Sequence, residues 1–211
     1  MTKTNTRTIL AAAICALTAS MASTAFAAGP SAAPADVPDG DVFARRTVRT
    51  YSAEALTNEQ IRALTLAAFS APTGGGQRAL EFVWVTDRAR MAAMQKSTPY
   101  GMALASAPAA LVIVANPKAA RYDELQMFDA GAATEAVLVE AARLGLVTVP
   151  MSIAPLKDRE IGVRAALELP DHLIPEIMIA VGHAAPDAVS SASALYENPA
   201  QVHFEKWQGK K

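Results

Sequence analysis

The sequence predicts an α+β domain in which a sheet of four or five strands is flanked by helices on both faces. Three observations lead there. A capped amphipathic helix pattern stands near the start, short apolar runs rich in β-branched residues follow at intervals, and helical patterns separate those runs. No internal repeat divides the chain, and 52% hydrophobic content over 211 residues suits one domain with a sizeable core.

The first residues carry a short basic start (Lys3, Arg7), an apolar stretch from Ile9 to about Ala22, and the small-residue ending Ala25-Phe26-Ala27. Residues 1–27 therefore read as a secretory signal cleaved before Ala28, which sends the mature chain to the periplasm or outside the cell. The apolar run is short and interrupted by Thr18 and Ser20, so stable membrane insertion after cleavage is not expected. The one cysteine, Cys15, leaves with the signal, which excludes disulfides, thiolate nucleophiles, Cys-zinc sites and iron–sulfur clusters together. Two of the 19 Lys and Arg leave as well, against none of the 20 Asp and Glu, and that balance argues against a nucleic acid partner.

Residues 28–40 (AGPSAAPADVPDG) are rich in Ala, Pro and Gly without periodicity, a flexible leader ahead of a domain spanning 41–211. In TNEQIRALTLAAF, Thr57 precedes Gln60 by three positions and Ile61, Leu64, Thr65 and Ala68 share a face, predicting a capped helix that stops at Ala71-Pro72. LEFVWV (80–85) and AALVIVAN (109–116) predict strands buried on both faces, with a helix containing Met91 and Met94 between them. From Tyr122 to Leu144 the pattern predicts the longest helix, apolar or small almost all round from Ala130 to Val139, hence buried, and closed by Gly145. VTVPMSI (147–153), a helix from Arg159 to Leu167 and IPEIMIAVG (174–182) complete the alternation.

Two segments have the chemistry of a binding site. RRTVRTYS gathers Arg45, Arg46 and Arg49 beside the hydroxyls of Thr47, Thr50 and Ser52, a set suited to a dianionic phosphate, or equally to a solvated basic face. APTGGGQR (71–78) ends a helix and runs through three glycines into a strand, which admits a flat or bulky group close to the backbone, or makes a plain flexible turn. It is no phosphate-loop fingerprint, since those glycines follow a strand and open a helix. His172, His183 and His203 are scattered without carboxylates at zinc-ligand spacing, and no serine sits in G-x-S-x-G, so metal catalysis and serine hydrolysis lack their signatures.

In order and spacing these pieces resemble the FMN-dependent nitroreductase family, particularly its small single-domain members. The resemblance runs from about Val42 to Trp207. It rests on RRTVRTYS, APTGGG ahead of LEFVWV, the strand after Ala107-Pro108, DAGAATEAVLVEAARLGL, VPMSI, LPDHLIPEIMIAVGHAAP and the closing VHFEKW. It implies a mixed, mostly antiparallel four- to five-stranded sheet flanked by helices, and an intertwined homodimer with an FMN site at the interface built from both chains. It implies that Arg45, with Arg46 and Thr47 beside it, holds the phosphate, that Arg49 lies near the pyrimidine edge of the flavin, and that backbone at Met151, Ser152 and Ile153 faces flavin N5. The flavin loop corresponds to Thr73, Gly74, Gly75, Gly76 and Arg78, where the family's usual Ser, Asn and Gln read Thr73, Gly76 and Arg78. On the long helix Thr134-Glu135-Ala136 stands where Gln-Asn is common.

The resemblance thus implies an oxidoreductase without catalytic side chains of its own. FMN carries the chemistry in two half-reactions, with NADPH or NADH as a candidate donor, an electron-transfer protein or reduced quinone having equal weight outside the cytoplasm, and a small quinone, nitroaromatic or enone as acceptor. A flavin-binding or scavenging protein without turnover is the alternative, and a dimeric interaction protein with an empty pocket is a third.

Overall fold

The computed structural model describes residues 41–189 and 198–208; the signal and leader expected over 1–40 lie outside the described residues. The chain divides into a main unit, which holds all helices and strands named below, and a second unit containing residues 198–208. In that second unit Asn198 accepts the Ala200 N–H (3.1 Å) to start a short turn, and the His203 and Trp207 rings lie 5.9 Å apart.

The main unit opens with α1 (Asp41–Ala44) and then α2 (Asn58–Ser70). Thr57 caps α2 as expected. Its hydroxyl accepts the Gln60 N–H at 3.1 Å and the Gln60 side chain accepts the Thr57 N–H at 2.8 Å, so two end donors are satisfied reciprocally. Ala71, ahead of Pro72, turns to extended backbone and ends the helix. Strand β1 (Leu80–Val85), helix α3 (Arg88–Lys96) and strand β2 (Ala109–Ala115) follow. Next come α4 (Gln126–Arg143), β3 (Val147–Ser152), α5 (Lys157–Leu167) and β4 (Ile174–Gly182).

The sheet has four strands in the order β1-β2-β4-β3, and every pairing in it is antiparallel. Four strands fall within the expected four to five; among the described residues the sheet is wholly antiparallel, and parallel pairing occurs as an isolated bridge between Thr47 and Thr148. Central β2 is buried along its length because its side chains alternate between two cores. Ala110, Val112 and Val114 meet Met91, Met94 and Val163 of α3 and α5, whereas Ala109, Leu111 and Ile113 meet Leu64, Ala68, Ala133 and Val137 of α2 and α4. Strand β1, expected to be buried on both faces, is only half-buried, because it lies at a sheet edge.

The long helix also departs from expectation. Its first residues form a tighter turn, Asp123–Leu125, and the α-helix begins at Gln126. Gly145 (φ 70°) closes it: the Leu146 N–H returns to the Ala141 carbonyl (2.8 Å) and the Gly145 N–H to Ala142 (3.0 Å), a left-handed cap that asks for glycine. Only one face of α4 is buried, carrying Ala130, Ala133, Val137, Leu138 and Ala141. The other face leaves Met127 and Phe128 half or more exposed and joins α2 in an open apolar groove lined by Ala63, Leu66, Ala67, Ala132, Ala136 and Val139. Among the described residues no helix is long and apolar enough to cross a membrane, and no group of His, Cys, Asp and Glu is placed to hold a metal.

Candidate functional site

The arginine-rich segment is tied down from both ends. Arg46 donates to the carbonyls of Phe43 (2.6 Å) and Arg45 (2.9 Å), so its guanidinium is turned onto its own backbone at the end of α1. Thr47 bridges Thr148, and the Val48 N–H donates to the Thr148 carbonyl at 3.1 Å. The Tyr51 hydroxyl lies 2.9 Å from the Val48 carbonyl and 3.1 Å from the Ala180 carbonyl. Burial pushes this phenol far above its ordinary range, so it stays a neutral donor that pins the segment to the sheet.

That anchoring lays Arg49 along the outer edge of β3. Arg49, Pro99, Tyr100, Met102, Val149, Pro150, Met151 and Ser152 enclose a cavity of about 310 Å³. Strand alternation decides which backbone groups face it. The Thr148 carbonyl points away from β4, toward Val48, so Pro150 and Ser152 point the same way; the Ile153 N–H points inward and donates to the Glu176 carbonyl at 2.9 Å. Pro150 has no N–H. Of the predicted Met151–Ile153 backbone, the donor on the open edge is therefore that of Ser152, while the Met151 and Ile153 side chains are buried in the core. Arg159 of α5 lies beside two of its lining residues: it donates to the Ser152 carbonyl at 2.9 Å and lies 5.2 Å from the centre of the Tyr100 ring.

Arg45 points elsewhere, toward α4. Its Nε is buried without a hydrogen bond, and the nearest charge is the Glu135 carboxylate at 3.6 Å.

The glycine loop lies at the other end of the sheet, ahead of β1. Gly75 (φ 59°) has left-handed backbone, and a side chain there would collide with the Tyr122 ring, which a Cβ would approach to 2.6 Å. Two residues not singled out from the sequence hold the loop. Asp129, fully buried on α4, accepts the Gly74 N–H and the Gln77 side chain, both at 2.7 Å, and Gln77 in turn accepts the N–H groups of Arg121 (3.1 Å) and Tyr122 (2.9 Å). Thr73 accepts the Arg78 N–H (3.2 Å), and Thr73 and Arg78 border a cavity of about 260 Å³ walled by Phe69, Leu80, Phe82 and Ala133.

One chain thus brings Thr47, Arg49 and Ser152 together along β3, and Thr73, Gly74, Gly75, Gly76 and Arg78 together before β1. It does not bring the two groups to one another. β1 and β3 are opposite edges, three strand spacings or about 14 Å apart.

This arrangement of a four-stranded antiparallel sheet between two helical layers is similar to solved structures. A provisionally named NADH oxidase from Clostridium acetobutylicum superposes with a TM-score of 0.73 at 28% identity, over 79% of this chain and 99% of that one. A provisionally named nitroreductase in complex with FMN, from Desulfovibrio desulfuricans, gives 0.68 at 25% identity over 81% and 98%. In sequence, a provisionally named NADH dehydrogenase/NAD(P)H nitroreductase of Archaeoglobus fulgidus is 29% identical over 167 residues, 79% of this chain and 96% of its own length. The nitroreductase family model matches residues 42–99 and 95–183, and the chain belongs to the nitroreductase family.

Proposed function

We propose that the chain is an FMN-dependent oxidoreductase working as a homodimer, with each site built from the β3 edge of one protomer and the glycine loop of its partner. The single observation that carries this is the donor pair along β3, a guanidinium at Arg49 and an outward Ser152 N–H; Arg45, on the same segment but turned toward α4, adds a buried Nε that makes no hydrogen bond. These residues fit the group. A phosphate would complete Arg45, a flat ring would lie in the cavity beside Pro150 and Met151, and the separation of the two half-sites calls for a second chain. The resemblance to an FMN complex supports the same reading.

When bound, FMN supplies two-electron chemistry at N5, accepting from a donor such as NADPH or NADH and passing electrons to a quinone, nitroaromatic or enone. The chain's own work is positioning. Arg45 and Thr47 would hold the phosphate, Ser152 would offer its N–H to the ring, and Arg49 would stabilise negative charge on it. Arg159 and Tyr100 narrow the access to the ring. We also propose that the protein is exported, on the strength of residues 1–27.

The test is a contrast between two variants. Arg45→Ala loses a charge-assisted contact worth on the order of 1.5 to 3 kcal/mol, so FMN affinity falls about tenfold to a hundredfold while the bound-flavin spectrum changes little. Arg49→Ala leaves the site fillable but makes the bound flavin harder to reduce. If both variants bind FMN as tightly as the parent with unchanged reduction potentials, the reading fails.

A further inference from the structure

Arg45 is not waiting alone for its ligand. Its guanidinium carries a carboxylate already, Glu135 at 3.6 Å, and its buried Nε has no hydrogen bond even so. The distance is too long for a hydrogen bond, yet close enough for the charges to attract. In the single chain the two side chains are 32% and 50% exposed, so the pair is loose there. Glu135 stands on α4 next to buried Thr134, on a helix whose opposite face the core holds, so its backbone position is fixed even though its carboxylate is loosely held.

We infer that Glu135 is the resident counter-ion of Arg45, and that this one carboxylate sets how strongly the site prefers a phosphorylated flavin over an unphosphorylated one. The inference rests on the assignment of Arg45 to phosphate proposed above. A phosphate arriving at Arg45 competes with Glu135 for the guanidinium and then sits within a few ångströms of a like charge. Removing the carboxylate frees Arg45 and ends that repulsion, whereas a flavin without phosphate meets neither effect. Loading is accordingly an exchange of anions on Arg45, and the chain holds FMN less tightly than its arginines alone would allow.

The experiment measures dissociation constants of FMN and riboflavin from quenching of flavin fluorescence, for the parent, Glu135→Gln and Arg45→Ala. Glutamine keeps the length and helix preference of glutamate. In Glu135→Gln, FMN should bind about threefold to tenfold more tightly at low salt, the gain shrinking as salt is raised, while riboflavin affinity stays within twofold of the parent. Unchanged FMN binding in Glu135→Gln, or an equal gain for riboflavin, overturns the inference. If that happens while Arg45→Ala still weakens FMN, the proposed function stands and only the role of Glu135 falls. If Arg45→Ala binds FMN like the parent, the phosphate assignment falls and takes the inference with it.

Discussion

Glu176 shows how a single buried acid can shape the behaviour of the β3 edge. It sits where the β2–β4 register slips between Ile113 and Val114, and its carbonyl receives the N–H groups of Ile153 (2.9 Å) and Ala154 (3.2 Å). Its carboxyl is pushed above the ordinary value of 4.5 by burial first and by Glu160 second, with Lys157 opposing. The folded chain therefore holds this proton more tightly than the unfolded chain does. That contribution to stability is present below the ordinary carboxylate range and is lost as pH rises through the raised value. Glu176→Gln should raise thermal stability at neutral pH and flatten its decline above pH 4.5, measured by melts across a pH series; an unchanged slope would assign the dependence to other groups. At this scale the sequence was only partly readable. The clustering of Arg45, Thr47 and Arg49 was visible because they are neighbours in the chain. Gln77 and Asp129 were not, since their meeting is made by residues 52 apart, although an acid ahead of the helix's alanine-rich middle was a signal.

Among the elements, α4 is the one whose pattern says more than a single chain can use. Small and apolar residues run round most of its middle, and the fold buries half of them; the groove it makes with α2 keeps the rest open, with Leu66 and Phe69 of α2 more than half exposed. An exposed apolar surface of this kind is one that a second copy would cover in the proposed two-chain site. Glu135 and Glu140 already line the groove, so Ala67→Glu together with Val139→Glu places like charges where the copies would meet. The parent should run as a dimer at micromolar concentration in light scattering, and the double variant as a folded monomer with FMN affinity lowered at least tenfold. A double variant that stays dimeric and binds FMN like the parent would show that this groove is not the contact. The helix start at Gln126 was missed because the tight turn before it shares its composition. Strand β1 was read as doubly buried because residue pattern does not report position within a sheet.

For the whole molecule, each of the four strands was legible from its apolar run, whereas the order β1-β2-β4-β3 was not. Order depends on which runs meet over long distances, and nothing in a local pattern encodes that. The division of the candidate site between opposite edges was hidden for the same reason. The two candidate half-sites are about 14 Å apart in one chain. The proposed export also belongs to the whole molecule, and rests on the pattern of residues 1–27. The intact mass of protein recovered from outside the cytoplasm should correspond to a chain beginning at Ala28, and recovery of residues 1–27 still attached would contradict it.

The outward face of β3 has one more consequence. Beyond Thr148 this strand ends the sheet, and a bare edge is a template on which a strand from another molecule can add. Pro150 sits in the middle of that edge with its nitrogen on the open side, so the missing donor costs nothing in the ladder to β4 and removes one rung from any ladder that might form outside. If the cavity beside it takes a small molecule as proposed, the same proline that leaves Ser152 to offer its N–H there also makes this edge a poorer template for a second strand.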